Sequence, residues 1–220
     1  MTELVSFDLR DGVATLILDD GKANALSLGM AQAIAAGLDR AAAEAKVLVI
    51  RGRPGVLCGG FDLKVIRGGD AAQRTAMTEA GMALLARLYV HPQPLILACT
   101  GHSVAAGGLL LLTGDIRIGM RGAFRIGLNE TAIGLPLPQL GIDLARDRLA
   151  PSALTQSVIR ATLYAPDEAV IAGYLDEAVD ADGFDAAITQ AAQGLLALNA
   201  AAYSTTKRRL RQPTLDRNPL

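Results

Sequence analysis

The chain has 220 residues, of which 51% are hydrophobic and 20% charged. That mix suits one globular domain with a sizeable core and excludes both disorder and a collagen-like repeat. Lys and Arg total 21 against 22 Asp and Glu, for a net charge of -1, so no positive surplus exists to neutralise a nucleic-acid backbone, and a nucleic-acid partner is not expected. Cys58 and Cys99 stand far apart in a chain that opens Met-Thr-Glu-Leu with no basic-then-apolar leader. A disulfide scaffold and secretion are therefore not expected, and a reducing, cytoplasmic setting is.

In chain order, the apolar runs Leu4 to Leu9 and Val13 to Leu18 flank Arg10-Asp11-Gly12 and predict a hairpin, Asp-Gly being a strong tight-turn signal. Ser27 caps a predicted helix to about Ala45, with apolar residues at Met30, Ile34 and Leu38 in helical spacing. Lys46 to Arg51 reads as a buried strand. It enters a glycine-rich loop, Gly52 to Phe61, where a ligand can approach the backbone closely, and Asp62 caps a short helix after it. A helix over Ala71 to Tyr89 stops before Pro92 and Pro94. Leu95 to Cys99 is a short central strand running into Thr100 to Gly108, followed by a four-leucine helix that ends at Gly114 and by a strand over Asp115 to Gly119.

The apolar stretch Leu95 to Thr113 approaches the length of a membrane span, but Thr100-Gly101-His102-Ser103 interrupts it and Asp115 closes it without a basic flank, so no membrane crossing is expected. Helices are predicted over Pro138 to Leu149, Pro151 to Ala161, Pro166 to Gly173 and Phe184 to about Leu210, three of them opened by proline. Residues 1–150 are thus expected to form an α/β core carrying the loops, with 151–220 as a helical C-terminal region of the same domain.

Two histidines and two cysteines are too few and too scattered for a metal site, and none is assigned. Gly101-His102-Ser103-Val104-Ala105 nearly matches a hydrolase nucleophile elbow, but no histidine follows position 102, so that triad cannot be built and Ser103 is read as structural. The phosphate-loop and dinucleotide signatures are absent.

What stands out is a pair of strand ends that run into glycine-rich helix starts, one around Gly59-Gly60-Phe61-Asp62 and the other around Ala105-Ala106-Gly107-Gly108. N–H groups at such starts are unpaired and sit at the positive end of the dipole, so two together would form an oxyanion hole; the alternative is that the glycines only allow tight turns. Glu130, set among apolar residues and glycines, is either a surface acid or a base whose pKa desolvation raises.

These segments, in this order, resemble the enoyl-CoA hydratase/isomerase (crotonase) family. Lys22-Ala23-Asn24-Ala25-Leu26 is similar to its N-A-L motif, and Cys58 to Lys64 to its S-A-G-A-D-L-K loop. Thr100 to Asp115 is similar to N-G-x-A-x-G-G-G…D, and Ala169 to Asp176 to A-x-x-x-G-L-V. The resemblance implies a spiral of ββα units with a shortened helical C-terminal region, assembled as a homotrimer or a dimer of trimers. It also implies an acyl-CoA thioester substrate with no cofactor beyond the coenzyme A that the substrate carries.

By the same resemblance, the N–H groups of Phe61 and Ala106 match the positions that hold the thioester oxygen. Lys22 and Lys64 match positions near the CoA phosphates, and Ala25, Gly60, Gly107 and Leu109 belong to the substrate-binding positions. Hydratases of the family use two glutamates. Here the first position is Leu109 and the second Glu130, and Gly127-Leu128-Asn129-Glu130-Thr131 resembles the segment of single-glutamate Δ3,Δ2-enoyl-CoA isomerases. That pattern implies isomerisation; a hydratase working with Glu130 alone and a non-catalytic acyl-CoA binder are the alternatives. The basic cluster Lys207, Arg208, Arg209 and Arg211 is read either as a solvated helix face or as a contact to CoA phosphates.

Overall fold

Two sheets built from one repeated unit organise the chain, whose residues 3–218 are described by a computed structural model. Met1-Thr2, the start of the leader reading, and Pro219-Leu220 lie outside the described residues. Strands β1 (Val5–Arg10) and β2 (Val13–Leu18) form the predicted antiparallel hairpin, turned by Asp11 and Gly12 at positive φ. Helix α1 (Leu28–Glu44) follows, with the Ser27 side chain accepting from the Met30 N–H.

From there each unit gives one strand to each sheet. β3 (Val47–Gly52) is followed by β4 (Gly55–Cys58), then α2 (Leu63–Gly68) and α3 (Ala71–Tyr89). β5 (Leu95–Cys99) is followed by β6 (Gly101–Val104) and α4 (Ala106–Thr113). β7 (Ile116–Met120) is followed by β8 (Ile126–Gly127), a 3₁₀ turn (Thr131–Ile133) and α5 (Gln139–Arg148). Then come α6 (Pro151–Val158), α7 (Pro166–Ala172), β9 (Glu177–Val179), α8 (Phe184–Leu196) and α9 (Ala200–Asp216). The six-stranded sheet runs β1-β2-β3-β5-β7-β9, parallel after the opening hairpin, and the smaller sheet runs β4-β6-β8, parallel throughout. This is the α/β architecture with ββα units that the sequence implied.

The large sheet is covered on both sides, which is why its central strands are apolar throughout rather than alternating. Successive side chains of β3 point to opposite faces. Leu48 and Ile50 join the larger core with α1, α3 and α4, while Val47 and Val49 meet Phe184, Ile188 and Ala192 of α8.

Three expectations need correcting. The glycine-rich loops contain strands, β4 and β6, which the glycines had hidden. The segment from Phe184 to Leu210 is two helices, broken at Ala197 to Asn199, where the Asn199 side chain accepts from the Ala202 N–H and starts α9. The C-terminal region also adds the strand β9 to the large sheet.

The basic cluster divides. Arg208 and Arg209 are exposed, whereas the Lys207 Nζ and Arg211 Nη1 atoms lie 2.7 and 2.8 Å from the Asp115 carboxylate, all three side chains being buried. Arg211 also donates to the carbonyls of Tyr89 and Thr113, and Asp115 accepts from the Leu95 N–H. Lys207 and Arg211 are thus the pins that fasten α9 to the ends of β5 and β7, because a cation buried without a carboxylate would be expensive. Among the described residues no helix is long and apolar enough to cross a membrane, and no group of three His, Cys, Asp or Glu side chains could hold a metal ion.

Candidate active site

The small sheet assembles the site. Its three strands are parallel and adjacent, so their C-terminal ends lie at one edge: β4 runs into Gly59-Gly60-Phe61, β6 into Ala105-Ala106, and β8 into Leu128-Asn129-Glu130. Segments nearly 70 residues apart in the chain are thereby brought to one place. This is the general position of ligand sites in open α/β sheets.

The first two loops interlock. Gly60 takes a φ of +96°, and a Cβ there would lie 2.9 Å from the Ala105 Cβ and 3.6 Å from the Ala106 nitrogen. A Cβ on Gly107 would fall 2.1 Å from the Cys58 carbonyl oxygen. Only glycine permits this approach. Phe61 is held from the other side, since Leu26 N–H donates to the Gly60 carbonyl at 2.8 Å and Gly59 N–H to the Ala23 carbonyl at 2.8 Å. The loop that contains Ala25 is tied beneath by buried Asn24, whose amide donates to the carbonyl of Leu18 at 2.9 Å and that of Leu57 at 3.2 Å.

Neither the Phe61 nor the Ala106 N–H has an acceptor among the described residues. Ala106 opens α4, so its N–H has no carbonyl to meet inside the helix. Ala105, just before it, takes φ 54° and ψ -124°, a conformation that costs a side-chain-bearing residue roughly 1–3 kcal/mol. Its own N–H donates to the Gly127 carbonyl at 2.9 Å, which ties this turn to the strand leading to Glu130.

Glu130 sits at the head of the 3₁₀ turn, 9% exposed. Its Oε2 is buried with no hydrogen-bond partner among the described residues, as is the Oδ1 of neighbouring Asn129. Burial pushes the Glu130 pKa above the ordinary carboxylate range, against a smaller lowering by the N–H groups of Glu130 and Asn129. No cation contributes, so desolvation governs this acid.

Leu109 is buried in α4, one turn beyond Ala106, and packs on α5, where a Cβ at Gly141 would meet both of its methyls at 3.2 Å. Lys22 and Lys64 are exposed, each beside a capped turn: the Lys22 N–H donates to Asp20 and the Lys64 N–H to Asp62. A cavity of about 430 Å³ lies apart from these residues, lined by Leu198, Tyr203, Leu210 and the Asp115 cluster.

Two features of this region escaped the sequence reading. The strain at Ala105 left no signal, because alanine is unremarkable in any loop. Gly81, inside α3, is the signal that went unread: a Cβ there would lie 2.4 Å from the Phe61 ring, so this glycine makes the seat for that side chain.

A parallel α/β spiral whose small sheet presents two glycine-shaped loops and one desolvated acid defines a fold of the crotonase class. The family described as enoyl-CoA hydratase/isomerase matches residues 8–219. The crystal structure of an enoyl-CoA hydratase/isomerase family protein from Pseudomonas syringae aligns with a TM-score of 0.94 and 44% identity, covering 97% of this chain and 92% of that one. Human mitochondrial enoyl-CoA delta isomerase 1 is 28% identical over 218 residues, 97% of this chain and 72% of the relative. A probable enoyl-CoA hydratase of Rhodobacter capsulatus is 32% identical over 142 residues, 59% of this chain and 53% of the relative. The chain belongs to the enoyl-CoA hydratase/isomerase family.

Proposed function

We propose that this protein is a Δ3,Δ2-enoyl-CoA isomerase. The carboxylate of Glu130 takes a proton from C2 of a 3-enoyl-CoA, and the negative charge that develops on the thioester oxygen is held by the N–H groups of Phe61 and Ala106. The same carboxyl group, now protonated, returns the proton to C4 and gives the conjugated 2-enoyl-CoA. Each preorganised donor contributes about 2.7–4 kcal/mol to the transition state. A desolvated carboxylate with no cation beside it is a stronger base than one in water and suits proton transfer near neutral pH.

The observation that carries this reading is the buried Leu109 at the position where the family's hydratases have their first glutamate. A leucine packed on α5 can neither hold nor deprotonate a water, and it keeps water away from the dienolate, which favours return of the proton over hydration. The human relative named as a delta isomerase supports the same choice. Lys22 and Lys64 are proposed as exposed contacts for the CoA phosphates, with Ala25, Gly60 and Gly107 shaping the thioester seat. No cofactor beyond the substrate's own coenzyme A enters this chemistry.

We further propose a homotrimer or dimer of trimers, measurable by light scattering, and a cytoplasmic setting. Two buried free thiols, pushed by desolvation to about 11 at Cys58 and about 12 at Cys99, suit a reducing compartment.

The hydratase reading, favoured by the Rhodobacter relative's name, is separated by incubating purified protein with 3-enoyl-CoA and, in parallel, with 2-enoyl-CoA. Conversion of the first to 2-enoyl-CoA supports isomerisation. Rapid formation of 3-hydroxyacyl-CoA from the second overturns it, and turnover of neither leaves an acyl-CoA binder.

A further inference from the structure

The loop between Glu130 and α5 returns to its own start. The N–H groups of Ile133 and Leu135 both donate to the Glu130 carbonyl, at 3.0 and 2.9 Å, and Gly134 between them turns the chain at φ +78°. Pro136 and Pro138 then restrict the backbone on either side of Leu137, and the Pro138 carbonyl accepts from the Ile142 N–H at 3.1 Å as α5 begins. Leu137 is therefore held by the same short piece of backbone that carries Glu130.

Its side chain joins the wall of the site. Ile133, Leu135 and Leu137 are all half-buried, and among the described residues Leu137 is the one of the three that packs on the main core. Gly141, in the first turn of α5, shows where. A Cβ there would lie 3.2 Å from both Leu109 methyls and equally 3.2 Å from the Leu137 Cγ. The two leucines thus cover one point of α5 side by side, and a glycine, which is a poor helix former, gives them the room to do so. Leu109 is the inner, fully buried part of this surface and Leu137 the outer, half-buried part.

Strand order sets the direction of the substrate. Phe61, Ala106 and Glu130 follow β4, β6 and β8, which are neighbours in that order. With the thioester oxygen between the first two and C2 to C4 at the third, the acyl chain runs away from β4, and the carbons beyond C4 leave along the wall that Leu109 begins. We propose that Leu137 is a specificity-determining residue: it meets the acyl chain just beyond C4, closes the site to a branch at C5 and so selects straight-chain 3-enoyl-CoA. The inference rests on the isomerase reading, which places C2 and C4 at Glu130. A wall tied to the loop of the base itself, and seated on a helix beneath, cannot retreat from an added methyl, so a branched chain overpacks the site.

The test compares 3-hexenoyl-CoA with its 5-methyl analogue. In Leu137→Ala the ratio of kcat/KM for the branched ester to that for the straight one is expected to rise about tenfold, the discrimination that one methyl group brings in an apolar pocket. A ratio changed less than twofold overturns the proposal whatever happens to kcat, since a merely structural role would slow both esters alike. Gly141→Ala works in the opposite sense and decides the matter if Leu137→Ala does not fold. Its methyl pushes both leucines off α5 toward the substrate, and the ratio is expected to fall about threefold. An unchanged or higher ratio there counts against the proposal. Calorimetric Kd values for hexanoyl-CoA and 5-methylhexanoyl-CoA read the same preference without turnover. Wild-type protein inactive on both 3-enoyl esters sinks the isomerase reading, and the Kd ratio then judges Leu137 by the same thresholds; active wild type with an unmoved ratio in Leu137→Ala sinks only the role of Leu137.

Discussion

The carboxyl groups of Asp115 and Glu130 are both largely withdrawn from solvent, yet the protein treats them in opposite ways. Asp115 meets Lys207, Arg211 and the Leu95 N–H, so its charge is neutralised and each oxygen has a partner. Among the described residues Glu130 meets no cation, and one of its oxygens has no partner. A carboxylate that is paired on all sides holds structure together; one deprived of partners is costly to ionise and is available for proton transfer. The difference teaches that burial alone does not mark a reactive acid; what distinguishes the two is the supply of compensating charge.

The largest expected effect breaks the reactive side of this comparison. Glu130→Gln should lower isomerase turnover by about 10²–10⁴-fold in a steady-state assay. Its stability has a definite sign. The folded pKa of Glu130 lies above its unfolded value, so between the two the folded state binds the extra proton and wild-type stability falls as pH rises through that window. Denaturant titrations should therefore show Glu130→Gln gaining on the wild type across the window and holding that gain above it, with no such change below it. The wild-type rate should fall as acid protonates Glu130, because the neutral acid cannot take the C2 proton.

Asp115→Ala breaks the structural side. It leaves Lys207 and Arg211 buried without a counter-charge, and a loss of about 3–5 kcal/mol in urea unfolding is expected. Lys207 is already held down to about 8, chiefly by burial, against the pull of Asp115. Activity per folded molecule should survive, and a selective loss of turnover in well-folded Asp115→Ala would erase the contrast between the two acids.

Smaller changes sharpen the picture around the loops. Gly81→Ala forces a methyl against the Phe61 ring and should cost about 1–3 kcal/mol by overpacking. It should also lower kcat more than it raises KM, because the Phe61 N–H moves with its ring. Ala105→Gly relieves the positive φ while adding chain entropy to the unfolded state, so thermal unfolding should report a gain of no more than about 1 kcal/mol. A large loss there would mean that the alanine methyl, not the backbone turn, is what the site requires.

Much of the fold was legible in local pattern. The Asp11-Gly12 hairpin, the Ser27 and Asp62 caps and the uninterrupted apolar strand Leu95–Cys99 follow from periods and turn chemistry that each segment carries by itself. Strands β4, β6 and β8 did not, because two to four residues rich in glycine leave no period to read; they are strands only because they pair with one another. Lys207 and Arg211 were equally opaque. Beside Arg208 and Arg209 they form one basic run, and only the seating of α9 on the sheet turns two of the four inward to Asp115.

The amino-acid order by itself determined the alternation of strands and helices, the glycines at which backbone can approach backbone, and the choice of leucine and glutamate at positions 109 and 130. These are properties of single residues and their near neighbours, so they survive without a fold. The tertiary structure alone decided which acid is neutralised and which is left bare, and it brought Gly60 against Ala106 across some 45 residues of chain. Desolvation and charge pairing depend on what packs nearby in space, and the parallel pairing of three short strands determines that.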